Sequence, residues 1–428
     1  GSRARSAMAQ LKDDCFAFDG GLMPVDDALA ILTGRIACVV GTEDVPLRQA
    51  LGRILAEDVA APRNVPPHDN SAVDGYAVYH ADLNADGETR LPVAGRIAAG
   101  HPLRGAAERG KAYQIFTGAP MPTGADGGPD TVFMAEDAEV AGDVVILPKG
   151  LKKGANRRFA GEDVKQGDVI LRAGQILRAQ EVGLAASVGR GDLSVRQKLR
   201  TAVFSTGDEV RDPAEGAPDG CIFDANRYTI MSLLDGLGCA VTDLGILPDN
   251  PDAIAQALAG AEAEHDLLIT SGGVSAGEED HVKTAVERRG SIHFWRLAIK
   301  PGRPVALGQV GDTAFVGLPG NPVAAMVTFM LIARPLIMML SGAAETVAPR
   351  FPVKAGFAYK KKTGRREWAR AKLVLGGGGM LVAEKRHSSG AGILTSMVDA
   401  DGLVELPEDL TELKEGATVD FLPFREVT

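Results

Sequence analysis

Cysteine is scarce in this chain: Cys15, Cys38, Cys221 and Cys239 are the whole supply in 428 residues, and no two of them form a CxxC pair. That excludes the disulfide framework of a small secreted domain. It also argues against a zinc site, because no cysteine has a second ligand at close spacing. Reduced thiols and a cytoplasmic location are expected. Positive charge is not in excess either, with 46 Lys+Arg against 56 Asp+Glu and a net charge of −10. A dedicated nucleic-acid binder normally shows a basic surplus, although net charge says nothing about a single anion pocket. No apolar stretch follows Gly1-Ser2-Arg3-Ala4-Arg5, so a secretory signal is not expected there. The longest apolar stretch, Val323 to Leu340, contains Thr328, Arg334 and Pro335. It reads as a buried core helix rather than a membrane span. There is no Walker A loop and no GxGxxG after a strand, so neither a P-loop nor a dinucleotide fold is supported. None of Ser205, Ser271 or Ser275 sits in a nucleophile elbow, and His281 and His293 read as surface or core residues.

What is present is an ordinary globular composition, 45% hydrophobic and 24% charged. It has ample apolar surface to bury. At roughly 150 residues per domain, the length predicts about three domains, or more if some are small. Residues 24–60 read as helical, with Pro24, Val25, Ala28, Leu29 and Leu32, then Leu47, Ala50, Leu51, Ile54 and Leu55, at helical spacing. From Pro62 to about Asp168 short β-like runs alternate with Gly and Pro, which predicts a small β-rich unit. Residues 179–188 look helical again and could pack back on the first helices, making the β-rich part an insertion in a helical platform. From about 198 to 345 apolar strands and amphipathic helices alternate, the pattern of an α/β unit with a mostly parallel sheet. One of its strands is read over Ile292–Ile299. After Pro349 the pattern is again all β and predicts a small barrel or sandwich.

In open α/β sheets ligands bind outside the carboxyl ends of the strands. The residues there are Ser205-Thr206-Gly207-Asp208-Glu209, Ser271-Gly272-Gly273-Val274-Ser275 running on to Glu278-Glu279-Asp280, Lys300-Pro301-Gly302-Arg303, and Pro319-Gly320-Asn321-Pro322. Each alone reads as a turn. Four on one edge of one sheet read as an anion site. Glycines there let backbone N–H groups approach a phosphate. Asn321 and Pro322 fit the N-cap and first position of a helix whose N-terminus favours anions, and Lys300 and Arg303 add positive charge. Carboxylates beside phosphate require a bridging cation, for which Mg²⁺ is the usual choice. The acids Glu278 and Glu279 read more simply as a solvated helix start.

A second polar stretch, Pro66 to Val78, packs Asp69 and Asp74 into a loop, and Thr117 to Pro122 and Asn156 to Asp163 are similar. They make little sense as core.

Together these stretches resemble the molybdopterin molybdenumtransferase family, of the MoeA and gephyrin E-domain type. The runs DNSAVDGYA (69–77), TGAPMP (117–122), RRFAGED (157–163), STGDE (205–209), SGGVSAGEED (271–280), LAIKPGRP (297–304) and GLPGNPV (317–323) stand in the family's order. The resemblance implies insertion of molybdate into adenylated molybdopterin, with a divalent cation and release of AMP, to give molybdenum cofactor. It implies Asp280, Glu209, Asp69, Asp163 and Thr117 as catalytic positions, with Asp280 and Glu209 on Mg²⁺. Ser205, Thr206, Gly207, Asp249, Ser271, Gly272, Gly273, Ser275, Lys300, Arg303, Pro319, Gly320, Asn321 and Arg158 would bind the pterin nucleotide. Arg370, Pro301, Ser388 and Ser389 would surround molybdate. Some family members carry Lys where Arg296 and Arg303 stand here; Arg keeps the charge but adds a planar fork, which is not a neutral exchange.

The family's architecture further implies a helical platform (15–63 with 165–197), a β-rich insertion (64–164), an α/β molybdopterin-binding domain (198–346) and a C-terminal β-barrel (347–428). It implies an elongated homodimer with a site shared between protomers. The expected protein partners are a molybdopterin adenylyltransferase upstream and apo-molybdoenzymes or their chaperones downstream, with no nucleic acid and no membrane. Two rival readings are a molybdopterin adenylyltransferase, whose type tends to carry SGGTG where Ser271-Gly272-Gly273-Val274-Ser275 stands, and a non-catalytic scaffold of the same fold.

Overall fold

The computed structural model describes residues 10–11, 21–273, 280–386 and 390–428. Ser275, Glu278, Glu279, Ser388 and Ser389 lie outside the described residues.

The largest core belongs to a six-stranded sheet. In spatial order its strands are Ala240–Leu247, Arg200–Thr206, Leu267–Ser271, Thr313–Leu318, Pro304–Val310 and Gly290–Arg296. The first four run parallel and the last two pairings are antiparallel. The parallel strands are apolar throughout, as strands covered by helices on both faces must be. One layer holds Val203, Ile269, Val316 and Trp295 and the other Phe204, Leu268, Phe315 and Ala306. Asn250 starts the helix Pro251–Glu262 by accepting the amides of Asp252 and Ala253, with Pro251 in the first turn. Asp224 caps Ala225–Gly236 and Asp280 caps His281–Glu287 in the same way.

The apolar run from Pro322 to Leu340 is one helical segment, 89% buried inside the protein. It is long and apolar enough to cross a membrane by length and composition alone. Its middle turn, Phe329–Ala333, is a π-helix between Pro322–Thr328 and Arg334–Leu340. Pro335 accounts for it: without an N–H, and with a ring that crowds the carbonyl four residues back, it cannot continue a regular α ladder.

Three expectations differ from the structure. Helix forms over Val25–Arg35 but not over 47–55, where a short 3₁₀ turn Leu47–Gln49 is followed by a turn at Gly52. Leu51 is 67% exposed, so the helical spacing is not a buried face. The backbone there bonds sideways instead, Ala56 N–H to Ser194 C=O and Leu55 N–H to Gln175 C=O. The expected helical platform is accordingly half strand. Thr42–Pro46 pairs with Asp192–Arg196 and Val59–Ala60 with Val169–Leu171, both antiparallel. The helix Ala179–Ser187 packs on this framework through Ala185, beside Val45, Ala50 and Leu55. Val25–Arg35 instead buries Val25, Ala28 and Leu32 in the core of the six-stranded sheet. Third, the single strand expected over 292–299 is two: Gly290–Arg296 stays in the α/β sheet, while Ile299–Lys300 leaves it.

Between Ala60 and Val169 the chain forms a second six-stranded sheet. Its order is Thr131–Met134, Gly75–Val78, Ala112–Ile115, Thr89–Ile97, Val144–Leu147 and Glu139–Ala141. After Phe351 five strands close on themselves: Arg366–Leu375, Leu381–Lys385, Phe351–Ala355, Thr418–Pro423 and Gly402–Leu406, the last pairing back to the first. Closure removes the sheet edges that would otherwise invite pairing with other chains. Ile299–Lys300 adds to the outside of this barrel, parallel to Arg366–Leu375, with Lys300 opposite Glu367.

Candidate functional site

Three parallel strands end on one side of the α/β sheet at Thr206, Ser271 and Leu318, and Gly290–Arg296 ends on the same side through its two antiparallel pairings. The loops beyond them touch. The Ser271 hydroxyl donates to the Pro319 carbonyl at 2.8 Å, and Asn226 donates to Ser271 Oγ at 2.8 Å and to the Gly320 carbonyl at 2.7 Å. Asn226, in the first turn of the helix Ala225–Gly236, ties the two Gly-rich loops together. A Cβ on Gly273 would stand 2.6 Å from Thr206 Oγ1 and 3.5 Å from Val282, so Gly273 is packed between Thr206 and the start of His281–Glu287. Asp249 is exposed just beyond Leu247, whose strand lies beside Thr206.

Asp280 is buried, and its Oδ1 accepts the Lys283 amide at 2.8 Å. Glu209 is exposed and folds back on Gly207: a Cβ there would stand 2.8 Å from Glu209 Oε2. Among the described residues no group of three or more His, Cys, Asp or Glu could hold a metal ion. Mg²⁺ does not require one, since it is commonly held by one or two carboxylates with water and substrate phosphates. Two hard oxygen donors on a strand-end edge fit that chemistry. Asn321 occupies the N-cap position and Pro322 follows it, but the Asn321 side chain makes no capping bond. The Val323 amide donates to the Ala391 carbonyl at 3.0 Å, so that first-turn donor is engaged within the chain.

Lys300 leads from this edge into the barrel. The Lys300–Pro301 peptide is cis, and Gly302 has φ +86°. A Cβ on Gly302 would stand 2.9 Å from Thr328 Oγ1, so the loop is pressed onto the long helix. Lys300 and Pro301 line one cleft with Arg370, Lys385, Glu367 and Tyr359 of the barrel. Arg370 is buried and its Nη2 donates to the Gly390 carbonyl at 3.3 Å. Burial lowers the Arg370 and Lys385 pKa values, and for Lys385 the nearby charges of Lys300 and Arg370 add to the effect. Crowded, partly desolvated cations of this kind favour an anion. The sequence signals Arg370 and Pro301 here. Glu367, Tyr359 and Lys385 carry no sequence signal. Arg303 is exposed at the end of the loop.

A second constellation stands on the sheet of residues 75–147. Asn70–Ser71 pairs with Arg157–Arg158, Gly118 N–H donates to Ser71 C=O, and Met121 N–H donates to Asp69 C=O, so three distant loops meet. Burial works against ionisation of Asp69, but the Ala160 amide at 2.7 Å and the Arg157 guanidinium hold its carboxyl below the ordinary value. Arg157, not the signalled Arg158, is thus the ion-pair partner; Arg158 is exposed. Thr117 donates both its amide and its hydroxyl to Asp74 Oδ1 at 2.8 Å, and these bonds lower the Asp74 pKa. Asp163 is exposed, with its amide on the Val65 carbonyl at 3.0 Å. Asp74 lies in the DNSAVDGYA run, yet the family resemblance gives a role to Asp69 and none to Asp74.

Three family models match successive segments of the chain. Residues 23–189 match the family model described as MoeA N-terminal region (domain I and II). Residues 202–339 match a probable molybdopterin binding domain, and 352–424 the MoeA C-terminal region (domain IV). Molybdopterin molybdenumtransferase of Haemophilus influenzae is 37% identical over 408 residues, covering 95% of this chain and 100% of that protein. Molybdopterin molybdenumtransferase 2 of Mycobacterium tuberculosis is 35% identical over 382 residues, covering 87% and 92%. The crystal structure of the MoeA molybdopterin biosynthesis protein of Pyrococcus horikoshii superposes with a TM-score of 0.78 at 29% identity, covering 94% of this chain and 99% of that one. With three family models in chain order and whole-length relatives above 30% identity, the chain belongs to the MoeA family of molybdopterin molybdenumtransferases.

Proposed function

We propose that this protein is a transferase that inserts molybdate into adenylated molybdopterin, releasing AMP and forming molybdenum cofactor. One observation carries the reading: the Lys300–Pro301 step links the phosphate-type loops of the α/β sheet to the cationic cleft of the barrel. A nucleotide-bearing substrate and an oxyanion are thereby served by one continuous loop. The rival adenylyltransferase reading accounts for the α/β sheet but leaves the barrel cleft without a task.

In this reading Ser205, Thr206, Gly207, Ser271, Gly272, Gly273, Pro319, Gly320 and Asn321 seat the pterin nucleotide, helped by Asp249 and Arg303. The Gly-rich loops present backbone N–H groups to its phosphates. Asp280 and Glu209 would hold Mg²⁺, which would supply positive charge against the charge of the phosphates. Asp280, anchored by the Lys283 amide, keeps a fixed position while the phosphoanhydride breaks. Lys300, expected among the pterin-nucleotide residues, lines the barrel cleft instead and there joins Pro301 and Arg370 in orienting the oxyanion. Asp69, Thr117, Arg158 and Asp163 complete the pocket from the β-rich sheet of a partner protomer in a homodimer. The division into 15–63 with 165–197, 64–164, 198–346 and 347–428, a cytoplasmic setting, and exchange with an upstream adenylyltransferase and downstream apo-molybdoenzymes belong to the same proposal.

Incubation of the protein with adenylated molybdopterin, molybdate and Mg²⁺ tests it, with AMP and cofactor measured in one turnover. AMP release and cofactor formation that require molybdate are expected. Adenylation of free molybdopterin from ATP, without cofactor formation, would favour the rival.

A further inference from the structure

The proposed oxyanion cleft contains a buried carboxylate. Glu367 is 7% exposed. Its Oε2 accepts the Tyr359 hydroxyl at 2.7 Å and the Lys300 ammonium at 3.4 Å. A negative group inside a pocket for a negative ligand opposes binding by simple Coulomb repulsion. The strand pairing makes the arrangement a built one: Lys300 lies directly opposite Glu367 in the parallel pair, and Tyr359 fixes the same carboxylate oxygen.

Of the cations in the cleft, Arg386 faces the Asp399 carboxylate at 3.8 Å. Among the described residues the remaining ionic groups are Lys300, Arg370 and Lys385 against Glu367, three cations to one carboxylate and a net charge of +2. That matches a divalent tetrahedral oxyanion. Lys300 keeps 51% of its side chain exposed while Glu367 keeps 9%, so the ammonium is the partner able to move.

We infer that Glu367 is a resident counter-ion that holds Lys300 before the oxyanion enters, yields it to the bound oxyanion, and sets the net charge that favours a dianion. It is a positioning residue, acting through Lys300. The inference rests on the reading of this cleft as the oxyanion site.

Calorimetric titration of the full chain with molybdate, and with perrhenate as a tetrahedral monoanion, tests it. Glu367→Gln removes the charge at nearly constant shape. Molybdate should then bind about tenfold tighter, with a smaller gain for perrhenate, because the Coulomb energy scales with ligand charge. Mere structural damage would weaken both. Tyr359→Phe, which keeps the carboxylate, should not tighten binding. Lys300→Ala should weaken molybdate binding, and adding Glu367→Gln to it should raise affinity by more than the roughly tenfold gained in the wild-type background, because the carboxylate there has lost its cation; independent sites would give equal gains. Unchanged or weaker molybdate binding by Glu367→Gln overturns the inference. So does equal tightening by Tyr359→Phe, or a gain from Glu367→Gln in the Lys300→Ala background no larger than in the wild-type background. Wild-type protein that binds no molybdate, or whose binding ignores Arg370→Ala, overturns the underlying reading of the cleft and the inference with it.

Discussion

Asp280 carries two duties that one substitution can separate. Its Oδ1 caps the helix His281–Glu287, and in the proposed reaction its carboxylate faces Mg²⁺. Asparagine caps a helix about as well as aspartate but lacks the charge. Asp280→Asn should leave the melting temperature nearly unchanged and lower single-turnover AMP release by about a hundredfold or more, the range for losing one electrostatic stabiliser. Unaltered AMP release would remove Asp280 from the mechanism. Asp69 makes a pH-dependent contribution. Its folded pKa lies below the ordinary 3.8, so its stabilising effect is complete above that value and fades as pH falls through the lowered folded one. Asp69→Asn should therefore flatten the acid limb of the stability–pH curve below about pH 4 and leave its slope near neutrality unchanged, as urea titrations at a series of pH values would show.

Elements rather than residues position Glu209. It precedes the short parallel pair Val210–Arg211 and Ile222–Phe223, which has almost no core of its own. The pair is held down by Arg227, 2% exposed, which donates to Asp224 at 2.9 Å and also pairs with Asp212 and Asp243. Burial works against the Arg227 charge, and the three carboxylates more than compensate, raising its pKa. Removing one member of a buried ionic group strands the others. Arg227→Met should cost about 3 kcal/mol or more in denaturant unfolding and reduce turnover through Glu209. A loss under 1 kcal/mol would show that the carboxylates find other partners. The strand ends themselves were legible: apolar runs closed by Ser-Thr-Gly or Ser-Gly-Gly state both a buried strand and the loop beyond it. Arg227 was not, because an arginine in a helix pattern reads as a solvated face until its three acidic neighbours are brought around it.

At the scale of the whole molecule, the loops of the β-rich sheet and those of the α/β sheet are two separately built constellations. In the proposed homodimer they meet across the two-fold axis. Heterodimers of Asp69→Ala and Asp280→Ala protomers should then recover about half of wild-type activity per dimer, since one pocket collects both lesions and the other is intact. A site folded within one chain would give no recovery. Mass spectrometry confirms that the mixed dimer is present, so a null result counts against the shared site.

The amino-acid sequence alone determined the α/β sheet, the β-rich segment and the C-terminal β unit, because runs of buried apolar residues and Gly-Pro punctuation are local signals. It also identified the strand-end loops and Lys300, while Arg370 came only with the family resemblance. Tertiary structure decided the rest. Leu47 to Leu55 has helical spacing, yet its backbone bonds sideways to residues more than a hundred positions later, and non-local pairing outweighs weak propensity. The run 292–299 is uniformly strand-like, so no local feature says that its end leaves one sheet for another. That departure sets Lys300 opposite Glu367 and builds the cationic cleft from residues about seventy positions apart. The position of a buried charge is a property of its partners, and those are chosen only when distant segments pack.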